Sequence, residues 1–87
     1  MLDNFFENWP WWARFKAKRL ARIITGNLIA YDTKISMIEL HFWINSLWSY
    51  KPGAVQRGFQ NYLSCYYGID NKPPTLRDLH FAISFNL

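Results

Sequence analysis

Cysteine and long apolar runs are scarce in this sequence, and each shortage excludes a class of protein. Cys65 is the single cysteine, so it cannot form a disulfide within the chain. The most apolar region is interrupted at residues 25–27 and 32–34, so it falls short of the roughly 20 apolar residues that a membrane-spanning helix needs. No signal-peptide pattern opens the sequence. We therefore expect a cytoplasmic protein that does not span a membrane.

Residues that usually carry out chemistry are also few. His41 and His80 lie 39 positions apart, and neither stands at a catalytic or metal-binding spacing from Cys65. The four glycines are scattered and form no phosphate-binding loop. We predict a protein that is not an enzyme and that uses no metal or other cofactor. Cys65 is expected to be a buried, inert thiol, and His41 a hydrogen-bonded residue at the edge of a core.

The length of 87 residues allows one folded unit, a single helical domain over residues 1–87. Surface scaling leaves on the order of 9,600 Å² to be buried on folding. The 17 aromatic side chains, at about 200 Å² each, would take roughly 3,400 Å² of that area. A packed interior could hold them all, so the five tryptophans do not by themselves predict a binding face. We expect at least two of them to be exposed.

The first half of the chain has the spacing of an amphipathic helix. A short helical turn over residues 3–9, capped by Asp3 or Asn4, is followed by a helix that begins at Pro10 or Trp11. Residues 26–27 either end this helix or are carried through it. Its apolar stripe is Ala13, Ala17, Leu20, Ile24 and Leu28.

A second helix is capped either at Asp32–Thr33 or by a capping box of Ser36 and Glu39. Its apolar residues are numerous enough to predict a central helix buried on two sides. They are Met37, Leu40, Ile44, Leu47 and Trp48, widened by Ile35, Ile38 and Phe42. A third helix is predicted over residues 53–67, with Gly68 as its cap. Its apolar face comprises Val55, Phe59, Tyr62, Leu63 and Tyr66.

The C-terminal segment fits two structures. Residues 70–74 predict a loop, because consecutive prolines force an extended backbone. Thr75 with Asp78 then resembles a capping box, whereas the alternating apolar residues from Leu79 to Leu87 fit a strand. We favour a helix to about residue 84, since no other segment alternates and a lone strand has no partner. The predicted fold is all-α, a compact bundle of three to five short helices.

The positive charge of the chain is concentrated in one segment. Net charge is +4, and no acid occurs between Glu7 and Asp32. The basic residues in that interval adjoin three tryptophans, and together they form the predicted partner-binding site. Its members are Trp9, Trp11, Trp12, Arg14, Lys16, Lys18, Arg19 and Arg22. Arg14, Lys18 and Arg22 follow at i, i+4 and i+8, which predicts a cationic stripe.

Three kinds of partner suit this segment. The favoured hypothesis is a small binding protein that docks on an acidic surface of a larger protein or complex and modulates or inhibits it, as phages and other mobile elements often encode. The alternative is a nucleic-acid-binding protein that uses phosphate contacts and aromatic stacking. A peripheral membrane protein comes last, because the rest of the chain has its own capped apolar helices. A solvated surface helix without a partner also fits.

Overall fold

The computed structural model describes residues 5–7, 9–65 and 72–84, and four helices account for most of them. They are α1 (Arg14–Ile29), α2 (Met37–Ser46), α3 (Pro52–Cys65) and α4 (Leu76–Ser84). Helix α1 packs against both α2 and α3, and α3 packs most extensively against α4. No strand occurs in the described residues, and the predicted all-α bundle is confirmed.

The core is built around the apolar stripe of α1, which the sequence predicted. Its residues Ala13, Ala17, Leu20, Ile24 and Leu28 are all buried. The other helices close over this stripe with Leu40, Ile44, Val55, Phe59 and Leu79. Every buried polar side-chain atom among the described residues has a hydrogen-bond partner. Burial of apolar area with no unpaired polar group is the arrangement that stabilises a small domain.

Helix α1 begins later than predicted, at Arg14 rather than at Pro10 or Trp11. Residues 11–13 form a turn in which the Ala13 amide donates to the Pro10 carbonyl at 2.8 Å. The helix continues through Gly26 and Asn27 to Ile29. The side-chain amide of Asn27 donates to the Ile23 carbonyl at 2.8 Å and to Gln56 Oε1 at 2.9 Å, and the second bond ties α1 to α3. Trp11 and Trp12 therefore lie on the turn that precedes α1.

The capping box of Ser36 and Glu39 starts α2, and the alternative start at Asp32–Thr33 is wrong. Ser36 Oγ accepts from the Glu39 amide at 3.1 Å, and Glu39 Oε1 accepts from the Ser36 amide at 3.3 Å. Asp32 has a φ of 58°, in the left-handed region that aspartate tolerates better than most residues. Its amide donates to the Ile29 carbonyl, so Asp32 belongs to the turn that ends α1.

The predicted burial of α2 on two sides is wrong. Leu40 and Ile44 are buried, but Met37, Ile38 and Phe42 expose 43, 84 and 63% of their surfaces. The molecule is flat, with extents of 39 × 27 × 16 Å. Its accessible surface is 6139 Å², against the roughly 5,400 Å² typical of a chain of this mass. One side of α2 faces α1, and no described helix covers its opposite side.

The C-terminal segment forms helix α4, so the helical alternative is confirmed. The strand alternative is wrong for the described residues up to Ser84. The Asp78 amide donates to Thr75 Oγ1 and the Thr75 amide to Asp78 Oδ2, both at 3.1 Å, so the predicted capping box starts α4. Helix α3 begins at Pro52, one residue before its predicted start.

Several predictions lie outside the described part of the chain: the caps at Asp3, Asn4 and Gly68, the position of Tyr66, loop residues 70–71, the segment from 85, and the side chain of Cys65.

Candidate partner-binding site

The eight residues of the predicted binding site fall into two groups with different surroundings. Trp9, Arg14 and Lys16 contact the interior of the fold. The other five are exposed: Trp11, Trp12, Lys18, Arg19 and Arg22. The expectation that at least two tryptophans are exposed is confirmed by Trp11 and Trp12, at 79 and 67%.

Trp9 is a core residue, with 7% of its surface exposed. Its indole stacks on the His41 ring at 4.7 Å and lies parallel to the Trp48 indole at 6.4 Å between centroids. His41 is half-buried, as its predicted position at the edge of the core requires, and its ring also meets Phe5 edge-on. Stacked rings therefore hold the segment before α1 against α2. Trp9 is therefore not part of the surface that a partner could reach.

Among the described residues, two of the five positive charges in the segment donate hydrogen bonds within the fold. The Lys16 ammonium donates to the Trp48 carbonyl at 2.7 Å and lies 4.9 Å from the centroid of the Trp48 ring. Arg14 Nε donates to the Trp9 carbonyl at 3.1 Å. Hydrogen bonds from charged donors are stronger than neutral ones. These two side chains hold the N-terminal segment and the turn after α2 on α1.

The exposed tryptophans have a third aromatic neighbour that the sequence reasoning missed. Phe15 exposes 73% of its surface. It precedes the buried Ala17 by two positions, which on a helix is about 200° away from the core. The periodicity of the buried stripe was therefore a signal that could have identified it. Three large aromatic side chains lie on the surface within five consecutive residues.

Lys18, Arg19 and Arg22 follow Phe15 at i+3, i+4 and i+7, so they flank it on the outer side of α1. Within the described part of the chain no acidic side chain forms an ion pair with any of the three. We call these exposed residues the aromatic–cationic face: Trp11, Trp12, Phe15, Lys18, Arg19 and Arg22. The predicted cationic stripe is thereby corrected, because Arg14 contacts the Trp9 carbonyl and Arg19 takes a place on the exposed side.

A groove of about 410 Å³ runs along the uncovered side of α2. We call it the α2 groove, and its lining residues are Phe5, Met37, Ile38, His41, Phe42 and Asn45. Sequence reasoning missed it because an apolar residue on a helix gives the same signal whether a neighbour covers it or not. Phe5, at one wall, meets Phe6 edge-on at 5.1 Å, and the Lys18 ammonium lies 5.8 Å from the Phe6 centroid. One aromatic ring therefore separates the groove from the aromatic–cationic face.

Among the described residues, no group of three histidine, cysteine or acidic side chains is arranged so as to hold a metal ion. No helix in that part of the chain is long and apolar enough to cross a membrane. Comparisons with protein-family models, with curated proteins and with solved structures found no significant match to this chain. The two surfaces described above are therefore the features that bear on function.

Proposed function

We propose that the protein is a non-catalytic, cytoplasmic binding module that docks on an acidic surface of a larger protein through its aromatic–cationic face and thereby modulates or inhibits that partner. One observation carries this proposal. Trp11, Trp12 and Phe15 expose 79, 67 and 73% of their surfaces, and the three cations beside them have no acidic partner in the described part of the chain.

The size and composition of this face suit a protein interface. Tryptophan and arginine are the residues that most often dominate binding energy when they are buried at an interface. At about 200 Å² per aromatic side chain, the three rings expose on the order of 440 Å². That is about half of the ~800 Å² that each partner contributes to a standard interface, and the stems of the flanking cations supply more. An acidic partner removes the mutual repulsion of those cations.

Nucleic acid and membrane suit the same face less well. Phosphate contacts from Lys18, Arg19 and Arg22 correspond to a salt slope of only about −3 and to weak, nonspecific nucleic-acid binding. A helix that lies on a membrane buries its apolar stripe in lipid. The apolar stripe of α1 is already covered by the other helices. An uncovered apolar groove beside the face is also a feature that nucleic-acid binding does not require.

The proposal is tested by affinity capture from the native host, with identification of both protein and nucleic acid. The test variant is the triple substitution K18E/R19E/R22E. The matched control is K51E/R57E/R77E, which reverses three exposed cations elsewhere. Each triple substitution takes the net charge from +4 to −2, so the two variants differ in the location of the change alone. Far-UV circular dichroism checks that both variants keep their helices.

We expect one partner protein to be captured by the unmodified chain and by the control, and to be lost with K18E/R19E/R22E. Equal loss with both variants shows that overall charge governs capture and contradicts the proposal. Capture that disappears after nuclease treatment assigns the face to nucleic acid. Co-sedimentation with anionic vesicles in place of a partner protein assigns it to a membrane.

A further inference from the structure

The α2 groove has a length and a composition that select one kind of occupant. Met37 and Asn45, at its two ends, are eight positions apart, which is about 12 Å along a helix. Between them Ile38 and Phe42 present 84 and 63% of their surfaces to solvent, one turn apart. A stripe of this length matches about two turns of a second helix laid alongside α2, with apolar side chains at i and i+3 or i+4.

A second copy of this chain does not suit the groove. At about 200 Å² for a large apolar side chain, the exposed parts of Met37, Ile38 and Phe42 total on the order of 400 Å². A stable, self-complementary interface needs about twice that area from each partner. Two copies that met groove to groove would also bring together surfaces of the same positive net charge. Like charge therefore disfavours a second copy, and the small area of the groove requires that its occupant also contact neighbouring surface.

The charges around the groove indicate the chemistry of that occupant. The Phe6 ring lies between Lys18 and Phe5 at the groove wall. The Lys18 ammonium has no acidic partner among the described residues. Glu39 is the acid on α2, and its carboxylate accepts from the amide and hydroxyl of Ser36. Glu7 follows Phe5 by two positions and is exposed, so the positive charge lies on the Lys18 side of the wall, where Arg19 and Arg22 continue it along α1. Carboxylates on the occupant complement the side that carries Lys18.

We infer that the α2 groove receives an amphipathic helix of the partner protein, with apolar side chains inserted between α2 and Phe5 and acidic side chains directed to Lys18 and the aromatic–cationic face. The inference rests on the proposed function, because it names the structural element by which the partner docks. The groove and the face approach each other at Phe5 and Lys18, which both contact the buried Phe6 ring.

A synthetic peptide tests the inference without knowledge of the partner. The probe is a labelled peptide of about four helical turns, with leucine and phenylalanine at i, i+3, i+4 and i+7 and glutamate on both flanks. Two control peptides carry lysine in place of glutamate, or the same residues in an order that breaks the apolar stripe. Binding is measured by anisotropy of the label. The test variants are Ile38→Asp and Lys18→Glu, with Leu63→Asp and Lys51→Glu as matched controls on α3 and beside it.

We expect the acidic peptide to bind the unmodified chain and both control peptides to bind at least about fivefold more weakly. Ile38→Asp should weaken binding by about fivefold or more, the effect of losing one interface anchor. Lys18→Glu should weaken binding by about threefold and reduce its salt dependence. Leu63→Asp and Lys51→Glu should stay close to the unmodified chain. Circular dichroism confirms that each variant is folded, since all four positions are exposed.

Several results overturn the inference: no binding of the acidic peptide, equal binding of the lysine peptide, or equal loss with Leu63→Asp and Ile38→Asp. A dimer in sedimentation experiments that Ile38→Asp dissociates would assign the groove to a second copy instead. Capture from the native host tests the proposed function separately. If K18E/R19E/R22E abolishes capture of a partner from the native host and Ile38→Asp does not, the aromatic–cationic face stands and the groove is excluded.

Discussion

Substitution of Gly58 by alanine should destabilise the fold, although glycine is ordinarily the weaker residue within a helix. Gly58 is buried on α3 where α3 meets α4. A methyl group at this position would overlap Ile83 Cγ1 and lie 3.3 Å from Leu79 Cδ1. Ile83 is β-branched, so its χ1 is stiff in a helix and Cγ1 cannot easily move aside. The absence of a side chain at position 58 allows the two helices to approach closely.

The magnitude follows from two opposing terms. Alanine in place of glycine within a helix gains about 0.5–1 kcal/mol. Overpacking of a filled site costs about 1–3 kcal/mol. The net effect is a destabilisation of about 1 kcal/mol, which lowers the Tm of a domain of this size by roughly 4–8 °C. The same substitution at Gly26, which has no atom within 4 Å of the added methyl, should be stabilising by about 0.5–1 kcal/mol.

Urea unfolding followed by far-UV circular dichroism measures both changes. Gly58→Ala and Gly26→Ala should shift the midpoint in opposite directions, with similar m-values. The double variant Gly58→Ala/Ile83→Ala separates overlap from other causes, because truncation of Ile83 makes room for the new methyl. We expect the two substitutions to couple favourably by about 1 kcal/mol. Equal stabilisation by both glycine substitutions, or additivity in the double variant, would refute the close approach of α3 and α4.

Two further predictions concern α2 and the helix starts. Ile44→Ala should lower the free energy of unfolding by about 2–5 kcal/mol, because Ile44 is fully buried. Ile38→Ala on the same helix should change it by less than about 0.5 kcal/mol, as measured by thermal denaturation. A similar loss for both would show that α2 is covered on its outer side. Ser36→Ala and Thr75→Ala remove the capping boxes of α2 and α4. Each should lower the free energy of unfolding by about 1 kcal/mol. Unchanged amide exchange in the first turns of both helices would contradict the assigned starts.

Local patterns predicted the helices well, because the information that starts and orients a helix is carried within a few residues. The stripe from Ala17 to Leu28 is buried, and Thr75 with Asp78 starts α4. The angular position of Arg19, about 200° from Ala17, could also have predicted its exposure. Lys16 lies about 100° from Ala17, at the edge of the buried stripe, and its ammonium donates to the Trp48 carbonyl.

The uncovered side of α2 could not be predicted in this way. Met37, Ile38 and Phe42 are as apolar as the buried Leu40 and Ile44, and exposure of one group depends on how many helices pack around α2. The partner of Lys16 is a similar case, since the Trp48 carbonyl lies 32 residues further along the chain. Both features belong to tertiary structure. The sequence therefore predicted the exposed cations and the two exposed tryptophans of the candidate site, but it did not predict Phe15 or the α2 groove.

The division of the tryptophans between core and surface has a spectroscopic consequence. Trp9 lies in the core and is parallel to Trp48, an arrangement that couples the electronic transitions of the two indoles and depends on the intact fold. Trp11 and Trp12 are solvated, so their emission responds to a partner that covers them. A chain with both exposed tryptophans replaced by phenylalanine would report folding through its near-UV spectrum. The unmodified chain would report complex formation through a blue shift of its emission, with no external label.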